Sequence, residues 1–368
     1  MACGVACVLS ACASERTKTP EPPRPAAVAG LTVTLPGDAA LVRSVRPWDD
    51  GGCPGVCVCT ERYCLRLAMK DTSFRDRLPA YMEACSEAYA KALVPLPLPA
   101  DPMDLYVFAS REPWEAWTRR TLGSDAGLYL GLGRGGFTTD GVSVLYDLGR
   151  IDTLTILAHE GWHQFSQRSL KDALPTWLEE GLACYMEGTR LSREGRPTPF
   201  RPWRNMERWS EARNAVRAEV VLPLQELLDT TPQACLERGK DQLLSYYAQC
   251  WALVHFLEEG EGGRYRESFR RLLTDAAEGR LAARLEASPL VAAAEPEARR
   301  RAARSRAGSL VMREYVRPDL SRMDAEFQAF LSQITRRGAG DRIFKGESPL
   351  SASDAAATKA SPAPPPTK

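Results

Sequence analysis

No charge of one sign prevails in this sequence. Its 48 lysines and arginines nearly cancel 47 aspartates and glutamates, so no overall field directs it to nucleic acid or to an anionic membrane surface. No apolar run is long enough to cross a bilayer as a helix. There is no internal repeat. The paired C-x2-C spacing of zinc ribbons is missing, although the chain has 11 cysteines. Histidine is scarcest of all, with three in 368 residues. What remains is an ordinary globular composition in a chain long enough for one large domain or two small ones.

The amino terminus reads MACGVACVLSACASERTKTPEPPRP. Leu9-Ser10-Ala11-Cys12 resembles the lipobox of bacterial lipoproteins, in which the cysteine is lipidated and becomes the first residue. The resemblance implies an exported, lipid-anchored protein of the bacterial cell envelope, with residues 1–11 as a signal remnant and 12–30 as a flexible tether. A positively charged segment ahead of the apolar stretch is lacking. Setting aside Cys3, Cys7 and Cys12 leaves eight cysteines, an even number that fits disulfides in an oxidising compartment. In "CPGVCVCTERYC" (Cys53, Cys57, Cys59, Cys64) disulfides are expected ahead of a metal site.

Along the chain, "YCLRLAM", "PMDLYVFAS" and "GVSVLYDL" read as strands. Residues 73–93 and "EPWEAWTRRTL" read as helices. Residues 123–140 are glycine-rich and read as a loop or short hairpin. From Asp152, a plausible N-cap, the pattern is helical to about residue 336. Residues 346–368 are disordered by composition. The expected fold is α+β: a small mixed sheet packed on a central helix within residues 31–188, then a mainly helical part over 189–345.

Two of the three histidines fall in "LAHEGWHQF", residues 157–165. His159 and His163 are one helical turn apart, so both imidazoles project from one face and can reach a single metal ion. Glu160 then lies beside the ion without ligating it, where a carboxylate can take a proton from water. A catalytic zinc takes three protein ligands and leaves a position open. No third histidine is near, but "LPTWLEEGLACYME", residues 174–187, supplies carboxylates on a second helix.

With that second segment the chain resembles the gluzincin metallopeptidases, the clan of thermolysin and aminopeptidase N, and among them the bacterial peptidase-MA-like domains. The resemblance rests on H-E-x-x-H followed by W-L-x-E-G-[LF]-A, supported by "LYVFASREPWEAWTR", "GVSVLYDL" and "YYAQCWALVHFLEEG" in the same order, over about residues 60–260. It implies one zinc ion held by His159, His163 and Glu180, with Glu160 as general base, hydrolysing a peptide or protein substrate. Of the neighbours Glu179 and Glu180, about 100° apart on a helix, only one can face the metal. The loop from His163 to Glu180 is shorter than in the aminopeptidases.

In "YYAQCWALVHF", residues 246–256, Tyr247 is the candidate for stabilising an oxyanion, with Tyr246 and His255 as alternatives and a plain core role for all three left open. Cys184, one turn after Glu180, reads as a small buried residue or half of a disulfide. "GVSVLYDL" is a strand that can pair with an extended peptide. "GLGRGGF" leads into a strand rather than the helix a dinucleotide site needs, and "EARRRAARSR" reads as a solvated face. The alternative to an enzyme is a binding or scaffold module that keeps the fold. Oligomeric state is not legible.

Overall fold

A computed structural model describes residues 41–131 and 135–350. The expectations for Cys12, for segments 1–11 and 12–30, for Gly133 and for the tail from residue 351 lie outside the described residues. Two compact units emerge. Of the described residues, the first comprises those up to Leu170 together with Thr189–Phe200; the second comprises Lys171–Gly188 and those from Arg201 onward. Among the described residues no helix is long and apolar enough to cross a membrane.

The first unit is built on strands β1 (Ser44–Asp49), β2 (Pro54–Cys59), β3 (Tyr63–Ala68), β4 (Met103–Phe108), β5 (Gly136–Thr139) and β6 (Val142–Tyr146). Its helices are α1 (Thr72–Arg75), α2 (Leu78–Lys91), α3 (Arg111–Leu122), α4 (Ala126–Leu130) and α5 (Arg150–Ser169). The strands form one mixed sheet in the order β1-β2-β3-β4-β6-β5. The β1-β2-β3 meander is antiparallel, β3-β4 and β4-β6 are parallel, and β5-β6 is an antiparallel hairpin. With the many helices this is the expected α+β class.

Three local expectations are corrected. Strand β6 has both edges taken, by β4 and β5, so it cannot accept a further strand; among the described residues the free edge on that side belongs to β5. The hairpin expected in 123–140 is present as β5-β6, but α4 precedes it. The third correction concerns the cap of α5, which is Gly149 rather than Asp152. Gly149 has φ 92°, a conformation glycine adopts without a Cβ penalty. The turn is tied by Asp147 Oδ1, which accepts from the Gly149 N–H at 2.9 Å, and by Thr153 Oγ1, which accepts from the Leu148 N–H at 2.9 Å. Asp152 sits in the first turn, where its charge suits the positive end of the helix dipole.

Helix α5 is buried along most of its length because α2 covers it. Tyr81 Oη donates to the Leu154 carbonyl at 2.8 Å and Tyr89 Oη to the Ala158 carbonyl at 2.7 Å. The glycine of the H-E-G-W-H run follows from this contact. A Cβ on Gly161 would stand 2.6 Å from Tyr89 Oη and 2.8 Å from Met82 Cε.

The second unit is helical: α6 (Thr176–Met186), α7 (Met206–Arg217), α8 (Leu224–Asp229), α9 (Pro232–Glu237), α10 (Lys240–Glu259), α11 (Arg266–Glu278), α12 (Leu281–Glu286), α13 (Pro296–Ser305), α14 (Gly308–Tyr315), α15 (Leu320–Ile334) and α16 (Ala339–Lys345). Helix α10 is its axis, with every residue from Ser245 to Glu258 buried. A helix apolar all round belongs in a core. Helix α6 crosses α10 closely: a Cβ on Gly181 would lie 2.6 Å from the Cys250 carbonyl oxygen. The arginine-rich α13 buries only Ala303, as a solvated helix should.

The even cysteine count was a poor guide to pairing. Cys59 and Cys64 form a disulfide across the β2-β3 register, but Cys53, Cys57, Cys85, Cys184, Cys235 and Cys250 form no disulfide among the described residues. Five of these are buried as small apolar side chains. Burial pushes the Cys85 thiol up to about 12, out of the range of reactive thiolates.

Candidate metal centre

His159, Glu160 and His163 lie on the C-terminal half of α5, and all three side chains are buried. The two imidazole rings are 5.0 Å apart, centre to centre, as one-turn spacing requires. Glu160 is fixed from beneath by the β5-β6 hairpin. Thr138 Oγ1 on β5 donates to Glu160 Oε2 at 2.8 Å and also lies 3.0 Å from the Glu160 carbonyl. Ser143 Oγ on β6 donates to the same carbonyl at 3.2 Å and is 2.9 Å from Thr138 Oγ1. One turn on, Gln164 Nε2 donates to the carbonyls of Asp104 and Gly141 at 2.6 and 2.8 Å, tying the helix to β4 and to the hairpin turn.

Glu180 lies on α6, which starts after Pro175, whose carbonyl accepts from the N–H groups of Leu178 and Glu179. Trp177 and Leu178 anchor the first turn in the core. Glu180 is fully buried, while its neighbour Glu179 is half-buried. That is the division expected if one of the two carboxylates is directed inward. His159 and His163 in the first unit and Glu180 in the second are each buried residues of a kind that can ligate a metal ion. Cys184 and Glu187, buried at the end of α6, are of the same kind.

Glu187 was not singled out from the sequence. It is fully buried, accepting from Asn205 Nδ2 at 2.7 Å and from Arg208 Nη2 at 3.3 Å. Arg208 is itself buried, and its Nη1 also reaches Glu211 at 2.9 Å. Burial pushes the Glu211 carboxyl up to about 7 against the opposing pull of Arg208. No spacing rule announces this cluster. Its signal, a glutamate directly after the apolar run Leu182–Met186, is too common to read. Thr138 and Ser143 were also missed, because they meet Glu160 only through the fold of the hairpin.

The candidates on α10 part company. Tyr247 is fully buried with the Arg208 guanidinium 5.3 Å from its ring centre. Tyr246 is packed edge-on against it, and burial, then the charges of Cys250 and Glu180, hold its phenol far above the ordinary value. His255 is a core ring: it stacks on Trp203 at 3.6 Å and lies 4.8 Å from both Tyr185 and Trp251. Desolvation lowers its pKa, the Glu259 carboxylate partly opposing the shift.

Residues 153–279, about a third of the chain, match the profile of a family described as "Protein of unknown function (DUF1570)". The matched stretch contains His159, Glu160, His163, Glu180 and Tyr247. No curated protein matches the chain. The family description carries no activity.

Proposed function

We propose that this protein is a zinc-dependent peptidase of gluzincin type. The observation that carries the reading is the pair His159 and His163, buried one turn apart on α5 with ring centres 5.0 Å apart, beside Glu160, whose carboxylate the Thr138 hydroxyl holds in place, with Glu180, buried on α6, as the proposed third ligand. The donor set fits the ion: two neutral imidazoles and one carboxylate suit a borderline cation such as zinc, and calcium or magnesium prefer all-oxygen shells. When bound, such an ion supplies a Lewis acid and lowers the pKa of water.

The chain's own residues do the rest. Glu160 takes the water proton and delivers it to the leaving amine. The Thr138 hydroxyl, donating to Oε2, holds one oxygen and leaves the carboxylate in a single orientation. Tyr247 or Tyr246 donates a phenolic proton to the developing oxyanion, the undissociated form that burial enforces on Tyr246 being the one that can donate. An extended peptide would add to the free edge of β5 rather than to β6. The lipid anchor at Cys12 and export to the cell envelope belong to the same reading. Partition of the intact protein into a detergent phase, lost in Cys12→Ala, tests them.

A second reading is favoured by burial. His159, Glu160, His163 and Glu180 are 0–2% exposed, and a metal sealed from solvent suits a binding or scaffold module. Metal analysis separates the assignments. One zinc per chain in the wild type, lost in His159→Ala and His163→Ala and weakened in Glu180→Gln, supports the ligand set. Full zinc in either histidine variant refutes it.

A further inference from the structure

The helical unit has a second feature with chemical character. A cavity of about 520 Å³ is lined by Arg213, Val216 and Arg217 of α7, by Ser332 and Thr335 at the end of α15, and by Arg337 just beyond it. Three guanidinium groups line it and no carboxylate does. No ion pair joins any of the three to an acidic side chain among the described residues. Many arginines elsewhere in this unit are paired with carboxylates, among them Arg270 with Glu258, Arg284 with Glu314 and Arg317 with Glu326. In a chain whose charges almost cancel, three uncompensated cations around one cavity are a local excess.

The plain explanation is that these arginines complement the negative ends of α7 and α15. Most of the terminal carbonyls, however, are already occupied. Leu331 O accepts from the Thr335 N–H and, at 2.7 Å, from Thr335 Oγ1, and Ile334 O accepts from Trp209 Nε1 at 2.9 Å. At the end of α7, Asn214 O and Val216 O accept from the Ala218 N–H and Ala215 O from the Val220 N–H. The guanidinium groups are therefore not spent on capping. Arg213 is also preorganised, its guanidinium carbon 5.4 Å from the centre of the Trp209 ring, which leaves its N–H edge to meet a ligand.

We propose that this cavity binds a phosphate-bearing ligand. Guanidinium forks match phosphate oxygens in bidentate pairs. A single carboxylate would leave two positive charges unmatched, whereas each phosphoryl group brings about −1.5 to −2 at neutral pH. The volume is of the size that takes a small organic molecule rather than a bare ion. The source is either a soluble phosphorylated compound or a lipid headgroup that ends in a phosphomonoester.

The test uses the full chain and two probes, inorganic pyrophosphate by calorimetry and vesicles of phosphatidylcholine with and without phosphatidic acid by co-sedimentation. Binding of pyrophosphate at one per chain, weakened at least about tenfold in Arg213→Gln/Arg217→Gln/Arg337→Gln and weakened by added salt, supports the site with a soluble source. Phosphatidic acid-dependent sedimentation, lost in the same variant, supports it with a headgroup source. The pair Arg217→Gln/Arg337→Gln changes exposed positions only and keeps the test valid if the triple variant melts early. No saturable binding of either probe, or binding by the variants within about twofold of wild type, overturns the proposal.

Discussion

Replacing Gly181 with alanine tests the close crossing of α6 and α10. Two effects oppose each other. In a helix interior alanine is favoured over glycine by about 0.8–1.0 kcal/mol. Against this, the new Cβ meets the Cys250 carbonyl oxygen at 2.6 Å, its carbon at 3.1 Å and Val254 Cγ2 at 2.9 Å. The first two are backbone atoms of a fully buried helix and cannot rotate away, so the two helices must separate by several tenths of an ångström. Overpacking of this kind costs about 1–3 kcal/mol, more where no side chain can yield. Because backbone cannot yield, the upper part of that range applies, about 2–3 kcal/mol, so the overlap exceeds the propensity gain and the net loss is about 1–2 kcal/mol, a fall in Tm of a few degrees. Because Glu180 is the adjacent residue, zinc affinity should fall as well. The assays are thermal unfolding of the metal-free protein and competitive zinc titration. A Tm equal to or above wild type would mean that propensity prevails, and would refute the close approach.

Gly161→Ala should also destabilise, though less, because Met82 Cε can move while the Tyr89 ring cannot; chemical denaturation measures the difference. Thr138→Val removes the hydroxyl that donates to Glu160 and should cost about 1–3 kcal/mol of stability together with part of any turnover. Arg208→Leu removes the buried cation that donates to the buried Glu187 carboxylate and should cost about 3–5 kcal/mol, far more than the paired change Arg208→Met/Glu187→Gln; urea melts of both variants decide. The Glu211 carboxyl, raised to about 7 when folded, contributes stability that is present below about pH 4.3 and is lost as pH rises through 7. Glu211→Gln should therefore flatten the decline in stability between those values. An unchanged slope would contradict the burial argument.

What was legible in the sequence had a local period. His159, Glu160 and His163 declare themselves because one helical turn suffices to bring the pair together. Strands β3, β4 and β6 were legible as apolar runs bounded by turns. Strands β1 and β2 were not: β2 is "PGVCVC", whose cysteines suggested a cluster, and its buried run Gly55–Val58 has no alternation to detect. Strand β1 carries Pro47, tolerated there because it is an edge. The start of α5 was misplaced because the turn Asp147–Gly149, tied by Asp147 and Thr153, leads straight into a helix that begins at Arg150 without a side-chain cap. Glu180 came from resemblance, not from spacing. Thr138, Glu187 and Arg208 act across elements, and no window of sequence contains both partners of their contacts.

The central claim is tested most directly by the turnover of zinc-loaded Glu160→Gln beside zinc-loaded wild type on a broad peptide library. The account predicts that the wild type cleaves and that the variant, with its metal retained and its fold intact, is slower by at least about 10²–10⁴-fold. A variant that cleaves as fast as wild type, or a zinc-loaded wild type that cleaves nothing, contradicts it.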